Sequence, residues 1–202
     1  MTMSTIVVNL GFGNLSSVCM ALERLGCRPI ISSDKSQIRD AERLVIPGVG
    51  AAKFAADQIN RFGLAEILAG FARPVMGLCL GMQLLYEHSE EGDAPGLAVF
   101  QGVVARIQGD RNHPIPHMGW NTLSLHNPAH PLFEGVPNDA FVYFVHSFAA
   151  PLGPDTIASC EYGKPFTAVA GRGNLLGCQF HPERSWPIGE RILANFLALP
   201  AT

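Results

Sequence analysis

Pro74-Val75-Met76-Gly77-Leu78-Cys79-Leu80-Gly81-Met82-Gln83 is the stretch on which the fold turns. Pro74 to Leu78 reads as a short buried strand, and a helix is predicted directly behind Cys79, from Leu80 to His88. A single residue joining strand to helix, with glycines two before and two after it, is the G-x-nucleophile-x-G elbow, here carrying Cys. Gly77 and Gly81 have no Cβ, so strand and helix can approach closely around a strained turn. The helix N-terminus brings unpaired N–H groups and partial positive charge to the sulfur, which favours a thiolate. The N–H of Leu80 is placed to meet an oxyanion.

Outward from the elbow, the first half of the chain alternates strands and helices. Ile6-Val7-Val8, Pro29-Ile30-Ile31 and Leu44-Val45-Ile46 read as strands. Asn14 to Leu25 carries apolar residues at helical spacing, and helical material from Ala51 to about Phe71 is interrupted at Gly63. Such alternation predicts a mainly parallel sheet covered by helices on both faces. From Gly96 to Gly177 short strand candidates dominate, Phe141-Val142-Tyr143-Phe144-Val145 the clearest. Leu175 to Phe180 is a further strand, and Pro187 opens a helix from Ile188 to Leu199. The fold class is therefore α/β: a single domain over 1–202 with a mainly parallel central sheet and an antiparallel extension.

Composition narrows the function. The 202 residues are 48% hydrophobic and 15% charged, enough to bury a core without disulfide staples. Net charge is −3 and only Lys35, Lys53 and Lys164 are lysines, which argues against a nucleic-acid or membrane-surface partner. No apolar run approaches a membrane span, and Met1-Thr2-Met3-Ser4-Thr5 has no basic leader, so a soluble cytoplasmic protein is expected. The five cysteines, Cys19, Cys27, Cys79, Cys160 and Cys178, form no CxxC pair and suggest neither zinc nor a disulfide framework. Apart from Cys79 they read as small core residues.

Two other glycine-rich loops follow strands. Gly11-Phe12-Gly13-Asn14-Leu15-Ser16, with Asp34 about 20 residues on, partly matches a dinucleotide fingerprint, weakened by Ser16 in place of the third glycine. Pro47-Gly48-Val49-Gly50 can aim bare N–H groups at an anion, and lacks the ending of a triphosphate-binding loop. A nucleophilic Cys also needs a base and an orienting group. His88, His113, His117, His126 and His130 read as surface or loop residues, and His146 ends a strand that could lie near a site. His181 is the best base: Pro182 biases it to extended backbone, and Glu183, two residues on, would share its side and fix its ring.

Taken together, these segments resemble the class I, triad-type glutamine amidotransferases, and more narrowly the glutaminase subunits of imidazole glycerol phosphate synthases. The likeness runs through Gly11-Phe12-Gly13-Asn14-Leu15, Pro47-Gly48-Val49-Gly50 and Gly77 to Leu85. It continues through Pro116-His117-Met118-Gly119-Trp120-Asn121, Tyr143-Phe144-Val145-His146-Ser147 and Gln179-Phe180-His181-Pro182-Glu183-Arg184-Ser185. The resemblance implies a Cys79 nucleophile, a His181 base held by Glu183, and an oxyanion hole from Leu80 and Val49. It implies that Gly48, Gly50, Gln83, His146, Ser147 and Phe148 hold L-glutamine, with no metal or organic cofactor. It further implies a (βα)8-barrel cyclase partner that receives ammonia, docked near Asn14, Trp120 and Arg184. Asn9-Leu10 stand where relatives usually carry Asp-Tyr, and Arg184 where they carry Lys. A glutaminase for another synthase, a related peptidase or γ-glutamyl hydrolase, and a catalytically silent paralogue remain open at this point.

Overall fold

The structure, a computed structural model, describes residues 4–11 and 13–201. Met1, Thr2, Met3, Phe12 and Thr202 lie outside the described residues; the start of the N-terminal leader reading and one position of the Gly11–Ser16 motif fall there. The first half contains β1 (Thr5–Val8), α1 (Leu15–Arg24), β2 (Ile30–Ser32), α2 (Lys35–Asp40), β3 (Arg43–Ile46), α3 (Ala52–Phe62), α4 (Ala65–Ala69), β4 (Val75–Leu78) and α5 (Leu80–Gln83). Next come β5 (Tyr86–Ser89), β6 (Ala94–Pro95), β7 (Phe100–Arg106), β8 (His117–Thr122) and β9 (Ser124–Leu125). The chain ends with β10 (Phe141–His146), β11 (Phe148–Ala149), β12 (Thr156–Tyr162), β13 (Lys164–Arg172), β14 (Leu175–Cys178) and α6 (Ile188–Ala198). Short 3-10 turns occupy Pro131–Phe133 and Pro182–Arg184.

The main sheet runs β2-β1-β3-β4-β14-β13-β12-β9. Its first five strands are mutually parallel, and β13, β12 and β9 extend it antiparallel. Alternation along the strands divides the core between two faces. Val7, Val45, Met76, Leu78 and Cys178 pack with Val18 and Leu22 of α1 and Ile192 and Phe196 of α6. Ile6, Val8, Leu44, Ile46 and Val75 pack on the opposite face with Ala55 and Ile59 of α3. Each such aliphatic or aromatic side chain taken fully out of water stabilises the fold by roughly 1.5–3 kcal/mol.

Two expectations need correction. The helix behind Cys79 ends at Gln83, not His88, and Tyr86–Ser89 is a strand. The carbonyls that would continue the helix are taken elsewhere: Leu84 O accepts from Leu97 N, and Leu85 O from Val99 N and Phe100 N. Tyr86 is buried with its ring edge-on to Phe100, so tertiary pairing overrides the local helical preference. The second half is also only partly an extension of the main sheet. Strands β10 and β8 form a separate pair, and β11-β7-β5-β6 a separate four-stranded sheet.

Helix α2 was not legible from apolar spacing, because its six residues bury only Ile38. Asp34 is its N-cap, accepting from Ser36 N and Gln37 N at 2.9 Å each. Since β4 and β14 are parallel neighbours, with Leu78 opposite Cys178, the segments after them leave the sheet at the same carboxyl edge. That edge is where ligands meet open α/β sheets.

Candidate active site

The elbow closes as its glycines require. Cys79 has φ 52° and ψ −109°, a left-handed conformation that strains a residue bearing a Cβ by about 1–3 kcal/mol. The turn is held from both sides: Cys79 N donates to Cys178 O at 2.7 Å, and Cys79 O accepts from Met82 N and Gln83 N. A Cβ on Gly77 would lie 2.6 Å from Gly81 O, and one on Gly81 would lie 1.8 Å from Ile46 O. Leu80 is the first residue of α5, so its N–H has no intrahelical acceptor.

Across the sheet edge, β14 leads into Gln179-Phe180-His181. The backbone of His181 is fastened to β10: its N–H donates to Tyr143 O at 2.9 Å. Ser185 completes the clamp, donating to His181 O at 2.7 Å while its hydroxyl accepts from Tyr143 N at 2.9 Å. His181 Nδ1 meets Glu183 Oε1 at 2.8 Å, with both side chains buried. The reason differs from the one the sequence suggested: Glu183 lies in a 3-10 turn, which curls its carboxylate onto the ring beside it. Burial lowers the His181 pKa, but the Cys79 sulfur and the Glu183 carboxylate outweigh it and raise it to about 10. The neighbouring sulfur and carboxylate thus favour the protonated ring. Its other nitrogen, Nε2, is buried without a closed hydrogen bond, leaving a proton for a reacting group.

Cys79 and His181 open into one cavity of about 270 Å³, lined also by Val49, Gly50, Leu80, Gln83, Glu91 and the Val145–Phe148 segment. Most of the residues singled out from the sequence are thus brought together. Gly48 is the exception: it is buried beneath the elbow, where a Cβ would stand 2.7 Å from Gly81 N and from Leu80 Cβ. It supports the loop and does not line the cavity. Gln83 lines the cavity, yet its amide N–H groups are committed to Phe148 O at 2.8 Å and Gln179 Oε1 at 3.0 Å. Gln179 in turn places Nε2 3.7 Å from the Cys79 sulfur. His146 is buried with both ring nitrogens bonded. His117, read as a loop residue, begins β8 and is 2% exposed.

Glu91 escaped the sequence reading. It sits in the turn after β5, where no periodicity or motif marks it, and its Oε2 accepts from Ala52 N at the start of α3 at 2.9 Å. The dinucleotide reading fails on the other side, because the Asp34 carboxylate it needs is the α2 cap. Among the described residues no group of His, Cys, Asp or Glu is arranged for a metal, and no helix is long and apolar enough to cross a membrane. Cys19, Cys160 and Cys178 are buried and Cys27 partly so, all as free thiols.

Asn14, Trp120 and Arg184 are exposed, and the elements bearing them adjoin: the Pro182–Arg184 turn contacts α1 and β10, and β10 pairs with β8. Met118, Phe141 and Trp186 add large exposed apolar surface on these elements or next to them, Trp186 at 71%.

An elbow cysteine, a histidine–carboxylate pair and one cavity thus stand together at the carboxyl edge of the parallel sheet. A family model, glutamine amidotransferase class-I, matches residues 6–199, and the chain belongs to that family. Among its sequence relatives are imidazole glycerol phosphate synthase subunits HisH. One from Xylella fastidiosa is 47% identical over 96% of this chain and 97% of its own length. Another from Vibrio cholerae is 45% identical over 98% and 100%. Among solved structures, a glutamine amidotransferase matches with TM-score 0.73 at 20% identity, covering 96% of each chain, which shows the shared fold.

Proposed function

We propose that the chain acts as one amidotransferase domain over 1–202, hydrolysing L-glutamine to glutamate and ammonia through a Cys79 thioester. The observation that carries this is the elbow cysteine at φ 52° sharing a cavity with a His181 ring bound 2.8 Å from Glu183. His181 takes the Cys79 thiol proton as the sulfur attacks the side-chain amide carbon. The developing oxyanion is met by the N–H of Leu80 and by the Val49–Gly50 backbone; one such donor is typically worth about 10²–10³ in rate. The His181 imidazolium gives its Nε2 proton to the amide nitrogen, the C–N bond breaks, and ammonia leaves. Neutral His181 then takes a proton from water, hydroxide attacks the thioester, and the C–S bond breaks to release glutamate. Glu183 keeps the Nδ1 proton in place throughout.

The amino-acid head of glutamine needs an anion for its ammonium and donors for its carboxylate. Glu91 is the carboxylate of the cavity wall outside the His181 pair, and it suits the ammonium. Ser147, Phe148 and Gly50 line the remainder, while His146 and Gln83 shape the wall from behind.

By the same reading, ammonia is passed within a heterodimer to a (βα)8-barrel cyclase subunit that makes imidazole glycerol phosphate in histidine biosynthesis, in the cytoplasm. The HisH relatives, matched nearly end to end, support this over a glutaminase for another synthase or a silent paralogue. The exposed apolar surface of Trp120, Trp186, Met118 and Phe141, with Asn14 and Arg184 beside it, suits the docking face. Arg184 would bring a planar guanidinium where relatives bring Lys, changing the geometry of any ion pair there.

Glutamate release from glutamine is the test, measured on the chain alone and with the cyclase subunit and its nucleotide ligand. Turnover that rises sharply with the liganded cyclase is expected. Turnover indifferent to the cyclase would remove the partner, and none under either condition would remove the glutaminase.

A further inference from the structure

Behind the cavity wall lies a run of buried polar groups that the chemistry above does not use. His146 Nδ1 is 2.9 Å from Phe148 O, and its Nε2 is 3.0 Å from His117 Nδ1. Asn121 Nδ2 reaches His117 Nε2 at 3.4 Å and also donates to Glu161 O at 2.9 Å, while Asn121 Oδ1 accepts from Thr122 N at 2.8 Å.

The proton positions follow from the ends of the run. A carbonyl oxygen only accepts, so His146 must carry its proton on Nδ1. Burial holds both rings neutral, with pKa pushed down to about 3 for His146 and about 4 for His117. His146 Nε2 is then a bare acceptor, so His117 must donate from Nδ1. Its own Nε2 is left to accept the second Asn121 N–H. Every donor and acceptor in the run is matched in one direction only, from Asn121 to Phe148. Both imidazoles take the Nδ1–H tautomer, which is the less favoured one in water.

From this we infer that His117 is a positioning residue for glutamine: acting through His146, it fixes the Phe148 carbonyl and with it the Val145–Phe148 wall. The role rests on the glutaminase reading. Phe148 O is the junction, since it also accepts from Gln83 Nε2 at 2.8 Å, and Gln83 connects through Gln179 to the Cys79 sulfur. The His117 ring is itself immobilised, stacked 3.9 Å from Tyr162 and 4.8 Å from Phe144, between centroids. Were the His117 donor lost, His146 Nε2 would be a buried acceptor without a partner, and the ring, held then only through its Nδ1–H to Phe148 O, would lose the second bond that fixes its orientation and with it the position of that wall.

The test uses the complex with its cyclase subunit and two variants. His117→Phe keeps an aromatic ring in the stack and removes the donor; His117→Asn places an amide N–H near the position of Nδ1. His117→Phe leaves a buried acceptor unpaired and loosens the wall that meets glutamine, and is expected to raise the KM for glutamine about tenfold with kcat changed less. His117→Asn should return KM to near the wild-type value. Nitrogen-15 NMR of histidine-labelled protein should show both rings as Nδ1–H in the wild type, with the bare His146 Nε2 resonance moved downfield in His117→Phe as its hydrogen-bond donor is lost. Either wild-type ring protonated on Nε2, or an Asn variant as impaired as the Phe variant, would overturn the inference. Glutamate release by the wild type with an unchanged KM in His117→Phe sinks this inference alone, whereas no release by the wild type sinks the glutaminase reading beneath it.

Discussion

The Cys79 side of the cavity is built from backbone pressed on backbone, and the His181 side from side chains hydrogen-bonded across distant strands. Around Cys79, a Cβ on Gly77, Gly81 or Gly48 would come within 2.7 Å of atoms of the turn or of the strand beneath it. Around His181, Tyr143, Ser185 and Glu183 each make one hydrogen bond to the residue, and a fourth joins Tyr143 N to Ser185 Oγ. The difference teaches where each wall is vulnerable. A close-packed elbow has no alternative arrangement, so perturbing it costs the fold. A hydrogen-bonded wall can lose one bond and keep its shape, so perturbing it costs the chemistry.

The largest effect should separate chemistry from fold within the elbow itself. Cys79→Ala removes the nucleophile but no packing atom of the turn, so glutamate release is expected to fall to background while the melting temperature stays within a few degrees. A measurable residual burst of glutamate would mean another group attacks. His181→Ala comes next, with loss of general acid–base catalysis expected at about 10²–10⁴ in kcat. Glu183→Gln keeps a hydrogen-bonding partner for Nδ1 and should lose less than His181→Ala; equal losses would assign Glu183 more than an orienting part.

Gly81→Ala probes the opposite kind of wall. With its Cβ 1.8 Å from Ile46 O, the variant should be destabilised by about 3 kcal/mol or more, read as a lowered denaturant midpoint. A midpoint equal to wild type would show that the elbow can relax, and the contrast between the two walls would fail. The smallest effect is in the pH dependence of Cys79 alkylation by iodoacetamide. The His181 pKa is raised to about 10 against an ordinary 6.5, so the imidazolium beside the sulfur persists from neutral pH up to that value. The stability it contributes is full below about 6.5 and is lost as pH rises through about 10. In Glu183→Gln one source of that rise is gone, so any inflection tied to His181 should move to lower pH; an unmoved profile would detach Glu183 from the ring.

Much of this was legible in residue order. The Gly77–Gly81 elbow, the parallel strands around it and the helix break at Gly63 are local matters of sterics and period, and each stands where the sequence put it. Asp34 shows how a local signal can be misassigned: its spacing suited a dinucleotide, while its side chain caps α2. The helix drawn to His88 failed for a different reason, since Leu84 and Leu85 have helical propensity but carbonyls claimed by Leu97, Val99 and Phe100.

What the sequence determined by itself is which candidate reactive residues stand in short motifs, Cys79 in the Gly77–Gly81 elbow and His181 with Glu183 two residues on. What only the tertiary structure decided is the wall around them. Glu91 enters the cavity from a turn with no motif, and Gln83 lines it with its amide nitrogen bonded to Phe148 O and Gln179 Oε1. His117 becomes a buried ring bonded to a residue 29 positions away. Hydrogen bonds between distant strands depend on sheet order and register, which no window of residues contains, whereas a turn as tight as Gly77–Gly81, where a Cβ on Gly77 would meet Gly81 O at 2.6 Å, is written in the few residues that make it.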